Sequence, residues 1–321
     1  MTLVGAVRAW CIGAYLIFAA TGPRSTDSYN APSTPSRAQS HDAVPAAKSV
    51  RFKVSVTDDK GRPILALRKE QFFVTVGKTQ ETIDYFSQAD APASICVVYD
   101  SSGSMRTHRP ELVNLPEHLL QMARASNPGS EFCIVAFSDQ AEIVMDWQKD
   151  REEIATGINR LGELEPHGPT ALFDAVALAV RITKDRPTDR HIVLVLTDGL
   201  DDKSKASSLE CGKLIQDSDV LVYSIATIST QDDSLDQMAA SRLKRMSEIS
   251  GGQIFFTAEG AQTHADIQTI TSQIRRLYTV GFINTGTDAA PRFRALKVKL
   301  VSGASTHGSR SHITLRYRET F

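Results

Sequence analysis

Two rhythms of apolar residues divide the chain. From residue 93 to residue 277, short apolar runs alternate with stretches in which apolar side chains recur every three or four positions. The runs at 95–99, 132–137, 143–147, 192–197, 220–227 and 253–256 predict strands, several of them apolar on both faces, as in a sheet covered on both sides. Between them, Leu112, Leu115, Leu119 and Met122 predict one helical face, with Pro116 as a kink or break. Further faces are predicted by Ile154, Ile158 and Leu161, by Leu172, Val176, Ala179 and Ile182, and by Leu209, Leu214 and Ile215. The stretch 238–249 and the set Ile267, Ile270, Ile274 and Leu277 predict the last two. The link at 138–141 is too short for a crossover, so its flanking strands should form an antiparallel hairpin. The other connections contain helices and predict right-handed parallel crossovers. The sum is an α/β fold, a doubly wound and mostly parallel sheet over residues 92–276.

Outside that region the period is two. Val50, Phe52, Val54 and Val56 alternate with Arg51, Lys53 and Ser55, which predicts a half-buried strand. A turn at 58–63 follows, then strands at 72–76 and 82–86 around a turn at Gly77-Lys78. After residue 277 come a strand at 278–283 and a turn at 284–286. Leu296, Val298 and Leu300 then face in while Lys297 and Lys299 face out; Ile313, Leu315 and Tyr317 face in while Arg316 and Arg318 face out. The units 49–90 and 277–321 are each too small to be stable alone. They are expected to pair into one small antiparallel β-sandwich-like domain, with the α/β domain inserted in it or flanked by it. The four basic residues form a stripe that would either meet an anionic surface or keep edge strands from aggregating.

Composition narrows the class. The chain has 321 residues, 41% hydrophobic and 23% charged, with a formal net charge of −1, so nothing in the charge balance argues for nucleic acid as a partner. The first residues differ from the rest: Arg8 is the single charge among them, and 9–20 are apolar or small without a break. Residues 1–22 read as a secretory signal or an N-terminal anchor, with a membrane tether through 3–20, although a spanning helix needs ~20 apolar residues. Residues 23–48, rich in Pro, Ser and Thr, read as a disordered linker. The expected location is therefore outside the cytoplasm, periplasmic or extracellular. Cys96, Cys133 and Cys211 contain no Cys-x-x-Cys and fit buried thiols better than a disulfide framework or a zinc site. The phosphate-loop, dinucleotide, metalloprotease and nucleophile-elbow motifs are all missing from the sequence, and no enzyme is expected.

The chemistry concentrates where strands end. The run at 95–99 stops at Asp100, and Ser101, Ser102, Gly103 and Ser104 follow. Alternate residues of an extended segment face one way, so Asp100, Ser102 and Ser104 are expected to point at one spot. Such a set of hard oxygen ligands suits Mg²⁺ or another hard divalent cation. Asp198 closes the strand at 192–197, and Gly168-Pro169-Thr170 leads into the helix that starts near Ala171. In doubly wound sheets, ligands bind beyond the carboxyl ends of the strands. Each residue also has a plainer role: Thr170 as a helix N-cap, Asp174 as a charge favourable to the helix dipole, the serines and aspartates as turn caps.

Taken together, Asp100-x-Ser102-x-Ser104, Thr170 in Gly-Pro-Thr-Ala-Leu-Phe-Asp-Ala and Asp198 in Leu-Thr-Asp-Gly resemble the metal-ion-dependent adhesion site of von Willebrand factor type A domains. The resemblance spans roughly residues 92–276. The flanking units resemble, by pattern, the exported proteins related to that family described from acidobacteria. The resemblance implies that Ser102, Ser104 and Thr170 bind a cation through their hydroxyls and that Asp100 and Asp198 bind it directly or through water. Mg²⁺ is the implied ion, with Mn²⁺ or Ca²⁺ as alternatives. It also implies an open position taken by an Asp or Glu carboxylate of a partner protein. The expected function is exported, metal-dependent protein binding; the alternative is an envelope scaffold in which the metal is mainly structural. Ser101, Met105, His167, Asp201 and Asp202 form the candidate partner-contact rim, although the two aspartates also read as solvated loop charge and His167 as an exposed loop residue.

Overall fold

The computed structural model describes residues 48–108, 112, 114–227, 234–257, 260–284, 295–301 and 312–320. The expected leader, the linker up to residue 47 and residues 285–286 of the expected turn lie outside these residues. Among the described residues, no helix is long and apolar enough to cross a membrane.

The chain runs through β1 (Lys48–Thr57), β2 (Phe72–Val76), β3 (Thr79–Glu81) and β4 (Ile83–Ser87), then enters the alternating region. There β5 (Ala93–Asp100), α1 (Leu115–Ala125), β6 (Glu131–Phe137), β7 (Ala141–Gln148), α2 (Arg151–Leu161) and α3 (Leu172–Thr183) come first. β8 (Arg190–Thr197), α4 (Ser208–Gln216), β9 (Leu221–Ala226), α5 (Ser234–Ser250), β10 (Ile254–Phe256) and α6 (Gly260–Arg275) follow. β11 (Tyr278–Asn284), β12 (Leu296–Leu300) and β13 (Thr314–Tyr317) close the described chain.

The central sheet has the order β10-β9-β8-β5-β6-β7. All its pairings are parallel except β6 with β7, the hairpin that the short 138–141 link dictates. β5 fills with β-branched and small residues, and they divide by parity. Ile95 and Val97 pack with Leu115, Leu119, Ile154, Ile158, Ile267 and Ile270, the inner faces of α1, α2 and α6. Cys96 and Val98 pack with Leu172, Val176, Ile215, Leu243 and Met246, the inner faces of α3, α4 and α5. Helices therefore cover both sides of the sheet, and strands buried on both faces need the continuous apolar runs seen in the sequence. Cys96, Cys133 and Cys211 are buried free thiols.

Two helical details differ from expectation. Pro116 does not break a helix; it lies in the first turn of α1, where a fixed φ and a missing N–H cost nothing. Leu209 is 82% exposed, because the capping box of Ser207 and Glu210 sets the start of α4 so that Cys211 and Ile215 face the core. Two residues correspond to roughly 200° around a helix, which turns Leu209 away. The stretch expected at 238–249 lies within α5, which buries Ala239, Leu243, Met246, Ser247, Ile249 and Ser250 and leaves Met238 exposed.

Two antiparallel sheets accompany the central one, β13-β1-β11-β4 and β12-β2-β3. β1 lies between β11 and β13, and β2 pairs with β12, so strands from both ends of the chain share sheets. Their common core holds Phe52, Val54, Phe72, Val74, Tyr278, Val280, Phe282, Leu296 and Val298. The rings of Phe72, Phe86 and Tyr278 lie 5.1–5.6 Å apart. The strand expected at 82–86 is present one residue later as β4, but the hairpin expected between it and 72–76 is split. β3 completes a hairpin with β2, and from Ile83 onward the chain pairs with β11 in the other sheet. The expected basic stripe is split as well. Lys297 and Lys299 are exposed on β12, whereas Arg316 and Arg318 are only partly exposed, and Arg316 donates to Thr57 Oγ1.

Arg190, the first residue of β8, is 1% exposed. Its guanidinium donates to the carbonyls of Ala89, Ala91 and Leu277. These carbonyls belong to the two segments by which the chain enters and leaves the α/β region, so one side chain fastens both crossings. Arg190→Met should cost roughly 3–5 kcal/mol, since three carbonyls, of which Leu277 O is the buried one, lose a charged donor and Asp90 loses a cation. Chemical denaturation of the variant and the wild type measures it.

Candidate metal centre

The strand order reverses at β5, whose two neighbours are β6 on one side and β8 on the other. A cleft opens at the carboxyl end of such a switch point. Asp100 ends β5 there, and Asp198 follows the last residue of β8. Both are buried, with Ser102 and Thr170 also buried beside them.

Local geometry accounts for the three residues of the first loop, though not by the extended chain expected from the sequence. Ser102 is extended, with φ −70° and ψ 165°, and so shares the face of Asp100. A single 3₁₀ turn then begins at Gly103 and returns the chain, so that Ser104 Oγ lies 3.1 Å from Ser102 Oγ. The Ser102 hydroxyl makes no cap bond to that turn, so capping does not explain it.

The second loop is stitched onto the first. His167 N donates to Ser101 O at 2.9 Å and Gly103 N donates to Gly168 O at 2.9 Å. A Cβ on Gly103 would lie 3.1 Å from Gly168 O, tighter than ordinary contact, so the close approach favours glycine. The loop carries Thr170 to the cleft, and Ala171 N bonds to Ser138 O of the β6–β7 hairpin at 2.7 Å. The N-cap of α3 is Ala171 and not Thr170, so the Thr170 hydroxyl is not spent as the cap.

The third loop replaces the missing cap. Asp201 Oδ1 accepts from Phe173 N at 3.2 Å and from Ser204 Oγ at 2.5 Å, and Asp202 Oδ1 accepts from Thr170 N at 2.7 Å. Asp202 N and Lys203 N in turn donate to Thr170 O. Asp174 accepts from the amides of Lys205 and Ala206, so it ties down the same loop and does more than oppose the helix dipole. Asp198 Oδ1 accepts from Leu200 N at 3.0 Å. Gly199, at φ +80°, lets the loop turn away where a Cβ would lie 2.8 Å from Leu243 Cδ1 of α5.

Asp100 carries the electrostatics. Its Oδ1 accepts from Ser102 N at 2.9 Å, and its Oδ2 accepts from the Thr197 hydroxyl at 2.5 Å. Thr197 Oγ1 accepts in turn from Gly199 N at 2.9 Å, so Thr197 joins the first and third loops. Burial pushes the Asp100 carboxyl up to about 7; the hydrogen bonds from Ser102 and Thr197 oppose the rise, and Asp198 adds to it. No cation contributes to this balance, and neither Asp100 nor Asp198 has an ion-pair partner among the described residues. The centre is thus a buried pocket of negative charge and hydroxyl oxygen that lacks a counter-charge. Its donors are two carboxylates and three hydroxyls, with no sulfur and no imidazole, which fits a hard cation such as Mg²⁺. Among the described residues no three His, Cys, Asp or Glu side chains are arranged to hold a metal ion by themselves, so hydroxyls have to make up the rest of any such shell here.

The candidate rim changes substantially. Met105 and Ser101 are 2% and 6% exposed and present no surface to a partner. Met105 sits in the core, where its sulfur meets Thr227 Oγ1, and the Ser101 hydroxyl donates to Phe137 O. His167 is exposed, but its ring lies against Glu165 O and Ser138 Oγ. Asp201 and Asp202 hold loops, as above. Sequence reasoning missed the other wall of the cleft. A cavity of about 350 Å³ opens beside Ser104 and Thr170, and Leu200, Leu235, Met238 and Arg242 line its far side. In the sequence, 238–249 reads only as a helical stretch, with nothing to say which of its residues face the cleft. Thr197 was also missed: a hydroxyl at the end of an apolar strand is the only trace of its role in the sequence.

Residues 95–200 match the model of the von Willebrand factor type A domain. Among solved structures, the chain is similar to proximal thread matrix protein 1 from the mussel byssus with a zinc-occupied metal-ion-dependent adhesion site motif, at 16% identity, covering 62% of this chain and 49% of that one with a TM-score of 0.50. It is similar to the von Willebrand factor domain of the type V pilus tip protein Mfa5 from Porphyromonas gingivalis, at 12% identity over 58% of this chain and 96% of that one, TM-score 0.47. BatB from Bacteroides thetaiotaomicron shares 14% identity over 56% of this chain and 98% of that one, TM-score 0.45. The chain spans about half the length of the mussel proteins it matches. The sheet order, the single antiparallel edge strand and the match over residues 95–200 together support a von Willebrand factor type A domain.

Proposed function

We propose that this chain is a metal-dependent protein-binding module without catalytic activity. Asp100, Ser102, Ser104, Thr170 and Asp198 hold a divalent cation, Mg²⁺ in the first instance, and a partner's Asp or Glu carboxylate completes its shell. The observation that carries the reading is the uncompensated Asp100 carboxylate, buried where three mutually bonded loops present oxygen donors. Hydroxyl ligands are neutral, so an ion held this way keeps net positive charge towards the open side and attracts an anionic ligand. The apolar run at residues 9–20 supports export of the chain, with the N-terminus as leader or anchor. The test is capture of envelope proteins by the wild-type chain in Mg²⁺ and in EDTA. The reading expects capture in Mg²⁺ alone, and loss of that capture when the eluted partner's acidic residues are amidated. Capture that survives EDTA, while EDTA lowers the melting temperature, would favour a scaffold with a structural metal.

The pH dependence of metal binding follows from Asp100. Its carboxyl titrates near 7 in the folded chain against ~3.9 when unfolded. Between those values the metal-free fold holds a proton that the unfolded chain has lost, so this group's contribution to stability falls as pH rises through the window. A cation binds the ionised form and competes with that proton. Mg²⁺ should therefore raise the melting temperature more at about pH 8 than at about pH 5.5, which differential scanning fluorimetry reads directly.

A further inference from the structure

On the flank of the domain, α1 and α6 lie side by side, and a cavity of about 310 Å³ opens between them. His118 of α1 and His264 of α6 line it in ring contact, with centroids 4.7 Å apart and planes at 55°. His118 Nδ1 is buried with no hydrogen-bond partner. His264 Nε2 accepts from Gln268 Nε2 at 2.8 Å, so this nitrogen carries a lone pair, held in an exposed bond to its own helix that a cation would have to displace. Gln121 and Gln268 line the same cavity and bring amide oxygens. Two imidazoles on separate helices, one with an unsatisfied buried nitrogen and one whose lone pair is held only by an exposed side-chain amide, make a donor set quite different from that of the oxygen-lined cleft.

We propose that His118 and His264 form a second cation site, selective for a borderline transition metal such as Zn²⁺, Ni²⁺ or Cu²⁺, that bridges α1 to α6. Imidazole suits these ions and not Mg²⁺ or Ca²⁺. With two protein nitrogens, the remaining positions go to water and to a Gln121 or Gln268 amide oxygen. The charges around the site permit a cation. Arg275 lines the far end of the cavity, but Asp90 pairs with it; Arg276 is exposed to water; Glu117 adds negative charge beside His118. Burial, together with the neighbouring His264, holds His118 below the usual histidine range, which keeps it neutral and able to ligate. The site is independent of the Asp100 centre, and its test does not need that reading to hold.

The experiment is calorimetric titration of the full chain with ZnCl₂ in an excess of Mg²⁺, which blocks oxygen-only sites. The wild type, His118→Ala and His264→Ala are compared, with far-UV circular dichroism to establish that each is folded. The same series is repeated in an Asp198→Ala background, which separates this site from the cleft. The expected result is one Zn²⁺ site in both backgrounds, weakened about 100-fold or more by either histidine substitution. Absence of Zn²⁺ binding in Mg²⁺, or Zn²⁺ binding that survives the His118→Ala/His264→Ala double substitution unchanged, overturns the proposal. If a single variant fails to fold, the imidazole proton resonances of the wild type decide the matter: Zn²⁺ must shift those of His118 and His264, and a titration that leaves both unmoved contradicts the site.

Discussion

Asp198→Ala is expected to reduce Mg²⁺ affinity by at least about 100-fold while the domain stays folded. The side chain makes one hydrogen bond, to Leu200 N, in a loop otherwise held by Asp201, Asp202 and the backbone of Thr170. Little structural support is lost with it. What is lost is one of two carboxylates in a shell whose other donors are neutral hydroxyls, and a divalent ion held by a single carboxylate is poorly compensated. Burial of Asp100 should also become less unfavourable, since Asp198 contributes to the rise of its carboxyl. The metal-free variant is therefore expected to melt no lower than the metal-free wild type. Calorimetry with Mg²⁺ and thermal melts in EDTA separate these effects. Unchanged affinity would remove Asp198 from the site, and a collapse in melting temperature would make it a structural residue.

Thr197→Val tests a residue that touches no partner. Valine keeps the shape and removes the hydroxyl that donates to Asp100 Oδ2 and accepts from Gly199 N. Two buried polar atoms are orphaned, at a cost of about 1–3 kcal/mol each in the metal-free protein. The Asp100 carboxyl loses one of the hydrogen bonds that favour its ionised form, so it moves further up and holds its proton against the cation more strongly. Residues that orient a ligand typically matter 10–100-fold in metal affinity, and about that loss is expected here. Thr197→Ser retains the hydroxyl and should restore most of the affinity. Equal loss in both variants would assign the effect to packing.

The sequence showed the parts of this protein in which one periodicity has one physical meaning. Runs such as Ile192 to Leu196 are too short for helices and too apolar for an exposed sheet, so the covered parallel sheet was legible from them. The 138–141 link fixed one antiparallel pair through length alone. The donor residues at the ends of β5 and β8 were legible because a sheet's switch point brings those ends together, whereas Thr170 lies in the loop between α2 and α3 and was legible through its motif. Where the reading failed, phase or long-range pairing decided the outcome. Leu209 has an apolar side chain at a plausible spacing, yet the capping box of α4 turns Cys211 and Ile215 inward instead. Residues 82–86 alternate well enough for a strand, and nothing local records that Thr82 is where the chain changes sheet. Arg190 has no local signal either, because its partners are carbonyls almost a hundred residues away. The rim at Ser101 and Met105 failed because adjacency to a ligand in sequence does not give exposure; a 3₁₀ turn folds Met105 under the loop.

The most direct measurement is a crystal structure of the chain grown with Mn²⁺ and glutamate, with anomalous diffraction to locate the ion. The account predicts one strong peak in the cleft, within ligand distance of the Ser102 and Ser104 hydroxyls, with Thr170, Asp100 and Asp198 bound directly or through water and a glutamate carboxylate at the remaining position. A cleft without a peak at saturating Mn²⁺, or an ion held elsewhere with these five residues uninvolved, would contradict it.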